Sequence, residues 1–250
     1  MKKLLLVIAL FLATSLFGIK AIDIVKIGEK DIGVYGSVDL GINFSKGNSD
    51  REKYSISSSI QKFKKNAIWL FSGSYTFQQS KYGGTYHKTV NKAYLHSRHI
   101  MGISKSFNWE YFGQVENNEF QKLAFRGLFG IGGRWQPFEK KIYFGLSPMF
   151  VRESYLDTNI ESKNSVRSNF YINMVCPINN KTDVRYVLYF QPDILVPKNF
   201  DLIQTLELEN KITEKLSLLI HFSYDYDSKP IDDSIEKYDF EQKTMLRYKF

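Results

Sequence analysis

Residues 34–45 read VYGSVDLGINFS, and apolar and polar residues alternate through this stretch without a break. In a β-strand, side chains two positions apart share one face, so a period of two separates an apolar surface from a polar one. The apolar face, counting glycine, holds Val34, Gly36, Val38, Leu40, Ile42 and Phe44, and the other face holds Tyr35, Ser37, Asp39, Gly41, Asn43 and Ser45. The pattern predicts a strand that buries only one face.

The same alternation recurs to the C-terminus and predicts twelve strands. In the sixth strand, Leu123, Phe125 and Phe129 are expected on the apolar face, whereas the faces of the seventh are ambiguous. Segments of about ten to thirteen residues are long enough to cross a bilayer when tilted. The segments lie near 34–45, 51–62, 67–79, 88–99, 106–116, 123–136, 141–153, 165–176, 182–191, 201–212, 216–227 and 238–250.

Aromatic residues distinguish a membrane barrel from a soluble β-sandwich, which also alternates. They make up 16% of the chain, and Trp69, Trp109 and Trp135 all fall near strand ends. Amphipathic rings favour a membrane–water interface, and sandwich strands are usually shorter than these segments. In lipid every backbone group must be paired, so the sheet has to close. We therefore predict an all-β fold, a closed antiparallel transmembrane β-barrel of about twelve strands.

Connection lengths are expected to differ between the two ends of this barrel. If the N-terminus is periplasmic, the connections after even-numbered strands are periplasmic turns, and 64–66 and 213–215 are indeed short. The connections after odd-numbered strands are predicted to be longer outer loops, for example 80–87, 154–164 and 228–236. Short periplasmic turns and longer outer loops are typical of such barrels, and the three tryptophans would then mark the periplasmic rim.

The N-terminus has the form of a secretory signal peptide. Met1-Lys-Lys is a positive start, and Leu4–Phe17 is an apolar run too short for a comfortable membrane span. Ala21 is the predicted last residue of the signal-peptide helix, with Gly18 as a second choice and an uncleaved anchor as the alternative. The predicted organisation is a signal peptide at 1–21, a periplasmic lead-in at 22–33 and an outer-membrane barrel at 34–250.

Charge and cysteine content exclude several classes of function. The formal charge of +8 falls to +5 without the three lysines of the leader, and no basic cluster of the kind that binds nucleic acid is present. Cys176 is the single cysteine, so neither an intrachain disulfide nor a zinc site with cysteine spacing is expected. We expect no cofactor, no metal and no nucleic-acid partner.

Two stretches resemble a known family. Residues 40–50, LGINFSKGNSD, resemble the strand and S-G-N-T-D turn of the domain of unknown function 481, through Gly47, Asn48 and Asp50, with Lys46 where that family usually has serine. Residues 126–134 resemble its R-x-x-x-G-x-G strand through Arg126, Gly130 and Gly132. Members are labelled salt-induced outer-membrane proteins, so the resemblance implies an outer-membrane barrel, but no defined activity. The turn residues also have a structural interpretation, since Gly and Asn set tight hairpins.

The last strand carries a predicted assembly signal. Leu246, Tyr248 and the terminal Phe250 share one face, which resembles the C-terminal signal that barrel assembly machinery recognises. That machinery and the lipid and lipopolysaccharide of a Gram-negative-type outer membrane are the expected partners. The expected location is the cell outer membrane, and the oligomeric state is left open.

Charged residues of both signs are expected to face the lumen. They would either pair into a packed or very narrow interior, since buried charge needs partners, or line a selective, porin-like pore. Twelve strands lie between the filled eight-stranded barrel and the open sixteen-stranded one. The lumen-facing candidates are Asp39, Arg98, Glu110, Glu116, Arg126, Arg134, Arg167, Arg185, Glu207, Glu209 and Arg247.

The sequence favours a non-enzymatic barrel with an envelope, stress-related or narrow solute-passage role. The first alternative is a phospholipase-like lipid hydrolase, because some twelve-stranded barrels are phospholipases that use a membrane-facing His and Ser, and here His99 shares a face with Ser97. No third group that would orient such a pair is evident, and no G-x-S-x-G motif occurs. The second alternative is a structural or adhesive barrel that acts through the outer loops 154–164 and 228–236.

Overall fold

The computed structural model describes residues 31–47, 50–137, 142–232 and 234–250. The predicted leader, with Ala21, and Asn48 of the predicted turn lie outside the described residues. The described residues form twelve strands and one short 3₁₀-helix. These elements are β1 Gly33–Ser45, β2 Asp50–Lys64, β3 Ala67–Tyr82, β4 Thr85–Gly102, β5 Phe107–Asn118, η1 Glu119–Gln121, β6 Leu123–Trp135, β7 Ile142–Tyr155, β8 Lys163–Pro177, β9 Thr182–Pro192, β10 Phe200–Lys211, β11 Leu216–Asp227 and β12 Tyr238–Lys249.

The sheet closes on itself, which confirms the predicted barrel. Each strand pairs antiparallel with its neighbour in the chain, and β1 pairs with β12. At this seam Asp39 lies opposite Arg247. The terminal residue joins it too, because the backbones of Gly36 and Phe250 exchange hydrogen bonds of 2.9 and 3.0 Å. A Cβ at Gly36 would lie 2.4 Å from the ring of Phe250, so a larger residue there would displace this ring. The two strands pair over Ser37–Leu40 and Leu246–Lys249.

Alternation places apolar side chains outward and mostly polar ones inward. In β7, whose faces the sequence left ambiguous, Leu146 and Phe150 are exposed and Met149 and Val151 are buried inside. The outward prediction for Leu123 was wrong, because this side chain is only 7% exposed. A bulge shifts the β6–β7 register between Leu123 and Phe125, and it turns the start of β6 inward.

The two ends of the barrel differ in their connections, but less than predicted. We call the end with Phe250 the turn end and the opposite end the loop end. Residues 80–87 are not a loop: β3 and β4 extend to Gly83-Gly84, whose φ angles of 58° and 86° form a two-residue turn. Only 156–162, 193–199 and 228–237 are longer connections. Within the described part of the chain, no helix is long and apolar enough to cross a membrane.

Candidate functional site: the barrel lumen

The alternation creates a polar lumen, and the structure places all eleven predicted lumen-facing residues on its wall. Arg98, Glu110, Arg134 and Glu209 are almost completely buried. Glu116, Arg185 and Glu207 are partly accessible from the lumen. Ion pairs within the lumen join, for example, Arg98 with Glu110, Arg126 with Glu116 and Arg247 with Asp39, and the guanidinium of Arg134 lies 4.7 Å from the ring centroid of Tyr143.

One side of the lumen is solid. We call it the packed side, and it consists of large buried side chains from β5 to β10. Interior packing of this kind leaves few gaps that water can occupy. Its members are Phe112, Leu128, Tyr143, Met149, Val151, Tyr171, Val187, Tyr189 and Ile203. The sequence did not predict this cluster, because alternation alone does not say how large the inward residues of distant strands will be together.

The ion pair of Arg98 and Glu110 is buried within the packed side. Their closest atoms are 3.6 Å apart, and both side chains are at most 2% exposed. Tyr171 donates a hydrogen bond of 3.0 Å to Glu110, and Arg98 donates one of 3.3 Å to Tyr189. The guanidinium also lies about 5 Å above the rings of Phe112 and Tyr171, at 5.1 and 5.4 Å. Buried charges are tolerated when they are paired in this way.

Arg126 organises the lumen towards the loop end. It lies 2.9 Å from Asp201 and 3.4 Å from both Glu116 and Glu153. Arg167 approaches the same Asp201 at 2.5 Å. Since Arg126, Arg167 and Asp201 lie on β6, β8 and β10, the cluster connects strands that are not neighbours in the sheet.

Arg247 organises the lumen towards the turn end. It donates to both oxygens of Asp39 at 2.7 and 2.8 Å, in the bidentate geometry that makes such pairs strong. It also reaches Glu207 at 2.8 Å and Glu209 at 3.2 Å, and Arg185 approaches the same two glutamates. The seam strands β1 and β12 are therefore connected to β10 by charge as well as by the sheet.

The other side of the lumen has small hydroxyl side chains, and we call it the serine wall. It consists of the small inward residues in the middle of β1, β2 and β3, and nearer the turn end the inward Phe63 and Ile68 form a buried apolar cluster instead. Beside it lies a cavity of about 140 Å³, which we call the serine chamber. Lys92, Asp225 and Lys243 also line this chamber. The members of the serine wall are Ser37, Ser55, Ser57, Ser59, Ser72, Ser74 and Thr76.

Three lysines converge on one carboxylate at the loop-end side of the chamber. Glu241 pairs with Lys53, with Lys92 at 3.1 Å and with Lys243 at 3.0 Å. The lysine side chains are 13–18% exposed, so they keep contact with the lumen. Lys53 was absent from the predicted lumen residues, although its odd position beside the outward Tyr54 implies an inward side chain.

A second cavity of about 380 Å³, which we call the vestibule, lies at the loop end. Arg126, Arg167 and Asp201 line it from the barrel, and Ile231 and Ile235 line it from the β11–β12 loop. Lys92 and Asp225 line both the vestibule and the serine chamber. These two residues therefore mark the boundary between the two cavities.

The β11–β12 loop crosses the mouth of the vestibule. Lys122, just after η1, pairs with Asp232 at 2.5 Å, although the β5–β6 and β11–β12 connections lie half of the strand order apart. We call this contact the latch. The hydrogen bond from Lys122 lowers the pKa of Asp232. Beside it, hydrogen bonds from Lys88 and Asn91 lower the pKa of Glu119.

The remaining predicted positions lie away from the lumen centre. Gly47 has φ 147° and donates a hydrogen bond of 3.3 Å to Asp50, which fits the structural interpretation of the turn. Leu246, Tyr248 and Phe250 are exposed on the outer face of β12. His99 is stacked on Trp69 at 3.9 Å. Among the described residues, no group of three or more histidine, cysteine, aspartate or glutamate side chains could hold a metal ion.

Comparisons with known proteins follow this geometry. No curated protein matches the chain. The chain is similar to the translocator domain of the autotransporter NalP from Neisseria meningitidis, at 9% identity, with 90% of each chain covered and a TM-score of 0.47. It is also similar to the NanC porin, at 10% identity over 85% of this chain and 97% of that one, with a TM-score of 0.47.

The KdgM porin is similar at 11% identity, over 86% of this chain and 99% of that one, with a TM-score of 0.44. The barrel itself rests on the strand pairing described above rather than on these distant similarities. The family model described as "Protein of unknown function, DUF481" matches residues 38–250. The chain belongs to this family, as the residues of the turn and of β6 predicted.

Proposed function

We propose that this protein is a non-enzymatic barrel of the outer membrane whose lumen provides a narrow polar passage for small solutes along the serine wall. The observation that carries the proposal is the asymmetry of the lumen. Large buried side chains fill the packed side, whereas the serine wall borders a cavity. A solute that crosses the barrel would therefore pass beside Ser55 and Ser57 and not between the aromatic rings.

The two cavities support the loop-end part of this route. The vestibule and the serine chamber share Lys92 and Asp225, so a solute moving inward would pass these charged side chains. Selective pores commonly carry rings of charged side chains at their narrowest point. Hydroxyl groups below that point can replace part of the hydration shell of a polar solute.

An outer-membrane location is part of the proposal. The outward faces carry exposed apolar side chains such as Leu40, Phe71 and Phe129, which suit lipid and the acyl chains of lipopolysaccharide. Leu246, Tyr248 and Phe250 are accessible on the outer face of the closing strand, as a segment read by barrel assembly machinery should be.

A non-enzymatic role agrees with the surroundings of His99. Its ring is stacked on Trp69 at a centroid distance of 3.9 Å and meets Tyr111 in an edge geometry at 4.9 Å. A general base needs a partner that orients it for proton transfer, and these two contacts are with aromatic rings. Purified protein should therefore release no fatty acid from phospholipid micelles. Release that disappears in His99→Ala would instead support the lipid hydrolase.

Single-channel conductance in planar bilayers tests the passage. The wild type should give resolvable steps at high salt. Ser57→Trp should remove most of this conductance, because the indole would occupy the serine chamber. Ser58→Trp is the matched control, since Ser58 is the next residue of β2 and is exposed on the outer face; it should conduct like the wild type. A wild type without steps would overturn the passage. Equal conductance in both variants would overturn its route.

A further inference from the structure

The serine chamber contains more hydrogen-bond donors than its own acceptors use. Three ammonium groups surround Glu241, and each ammonium has three donors, whereas a carboxylate accepts about four hydrogen bonds. Lys243 also donates a hydrogen bond of 3.5 Å to the Thr76 hydroxyl. Donors therefore remain for a bound ligand among the described groups of this cluster.

The hydroxyl side chains add to this surplus. Ser55 is 8% exposed and lines the chamber. The hydroxyl oxygens of Ser55 and Ser72 are buried and have no hydrogen-bond partner among the described residues. A buried hydroxyl without a partner is costly. Both side chains would be satisfied by a polar ligand in the chamber.

A cavity lies beside two of the lysines, because Lys92 and Lys243 line the serine chamber together with Ser55, Ser72 and Thr76. At the level of Ser55, the inward position of β1 is Gly41, and the side chain of Met245 from β12 lies over this glycine. Lys243 reaches the Thr76 hydroxyl on β3 at 3.5 Å. The lysines, the hydroxyls and the cavity meet in one place.

We propose that Lys53, Lys92 and Lys243, together with the hydroxyls of Ser55, Ser72 and Thr76, form a binding site for a small oxyanion such as a phosphate or a carboxylate. The carboxylate of Glu241 already pairs with the three lysines. It therefore shows that these donors bind a negatively charged oxygen group. Charge-assisted hydrogen bonds from lysine to an oxyanion are among the stronger polar contacts in proteins. A small oxyanion is then the solute that the proposed passage would carry. Transport of the anion rests on the proposed function, whereas its binding does not.

Carboxylates near the site restrict which anions can occupy it. The negative charges of Asp225 and Asp239 attract the ammonium group of Lys92. Gln121 donates a hydrogen bond of 3.0 Å to Asp239. Asp39 and Glu207 are held by Arg247. An incoming anion therefore meets both signs of charge. Occupancy depends on direct contacts with the ammonium and hydroxyl groups rather than on long-range attraction.

Inorganic phosphate is the probe for a binding test that does not require conduction. The thermal unfolding midpoint of refolded protein is measured in phosphate and in chloride at matched ionic strength. Phosphate should raise the midpoint of the wild type, because a ligand that binds the folded state stabilises it. Lys92→Gln and Lys243→Gln should weaken phosphate binding roughly tenfold, the loss expected for one charge-assisted hydrogen bond. Glu241→Gln should tighten it, since the competing charge is removed.

Matched controls lie in the outer loops. Glu161→Gln and Lys198→Gln make the same chemical changes at exposed positions, and both should respond to phosphate like the wild type. Heat-modifiable gel migration shows whether each variant folds. If a lysine variant does not fold, Glu241→Gln still tests the site, because this variant should bind phosphate more tightly than the wild type. No phosphate-dependent shift in the wild type, or the same loss in Lys198→Gln, would overturn the site.

Conductance separates this inference from the proposed function. If phosphate stabilises the protein but no channel steps occur, the site stands and the passage fails. If channels occur but phosphate neither blocks them nor raises the unfolding midpoint, the passage stands and the oxyanion site fails. Sulfate and acetate as further probes would show whether the site prefers tetrahedral or planar oxyanions.

Discussion

The packed side and the serine wall are built on the same alternation, yet one closes the lumen and the other leaves it partly open. Both sides have inward residues at every second position. On the packed side these include Tyr171 and Tyr189, whereas on the serine wall they include Ser55 and Ser57. In a barrel of twelve strands, the size of the inward side chains therefore decides where solid interior ends and a passage can begin.

The charges differ in the same way. Glu110 on the packed side is completely buried and paired with Arg98, so its charge acts on neighbouring side chains of the interior and not on a solute. Lys92 and Lys243 beside the serine wall remain 18% and 13% exposed to the lumen, so their charges can act on a solute. Removing a charge from the packed side should therefore lower the free energy of unfolding of the barrel. Removing a charge beside the serine wall should instead change which solutes the passage selects.

The largest effect is expected from breaking the buried ion pair. Glu110→Gln leaves the guanidinium of Arg98 buried without its counter-charge, which typically costs about 3–5 kcal/mol. Urea unfolding in detergent micelles, followed by tryptophan fluorescence, should show this loss. The double variant Arg98→Met with Glu110→Gln should recover part of the stability because no unpaired charge remains. A double variant less stable than Glu110→Gln alone would contradict the account.

A smaller effect is expected where β6 approaches β7. A Cβ at Gly132 would lie 2.2 Å from the carbonyl oxygen of Leu146, whereas at Gly113 the nearest atom is 3.6 Å away. Gly132→Ala should therefore destabilise the barrel by about 1–3 kcal/mol, the usual range for overpacking. Gly113→Ala is the matched control and should be close to neutral in the same unfolding experiment. Equal effects would contradict the proposed close approach.

The smallest effect on stability is expected at the latch, because the side chains of Lys122 and Asp232 are 41% and 35% exposed and water weakens their attraction. Asp232→Asn should release the β11–β12 loop and increase open-channel fluctuations in bilayer recordings. High salt should do the same in the wild type, since screening weakens an exposed pair. Asp157→Asn is the control, because Asp157 contacts only its own loop through Asn159. Fluctuations that do not respond to Asp232→Asn would argue against the latch.

The pH dependence of the latch has a defined sign. Lys122 lowers the pKa of Asp232 in the folded protein. The pair therefore contributes above the ordinary carboxyl pKa of about 3.9, and its contribution is lost only as the pH falls below that value. Between pH 5 and pH 7 the fluctuations should stay constant, and recordings in that range that change in the wild type but not in Asp232→Asn would contradict this.

The sequence predicted the barrel because alternation is a local property. It failed where backbone geometry departs from that pattern. The bulge beside Phe125 reversed the expected side of Leu123, and Gly83-Gly84 turned an expected loop into a tight hairpin. Neither is visible from hydrophobicity, although two consecutive glycines are a turn signal that could have shortened the predicted loop.

The site was less predictable than the fold. The alternating serines Ser55, Ser57 and Ser59 were visible in the sequence. Their position beside a cavity depends on closure of the barrel, which brings them opposite the aromatic residues of β8 and β9. The partners of Glu241 come from β2, β4 and β12. Such contacts depend on three-dimensional distances that one sequence does not contain.

Chemical modification of single cysteines during conductance recording tests the central claim most directly. In a Cys176→Ser background, Ser57→Cys places a thiol on the serine wall and Val187→Cys places one on the packed side, while Ser58→Cys is the outward control. The account predicts that a small membrane-impermeant thiol reagent blocks current stepwise only in Ser57→Cys. Blockade in Val187→Cys, with Ser57→Cys unaffected, would contradict it.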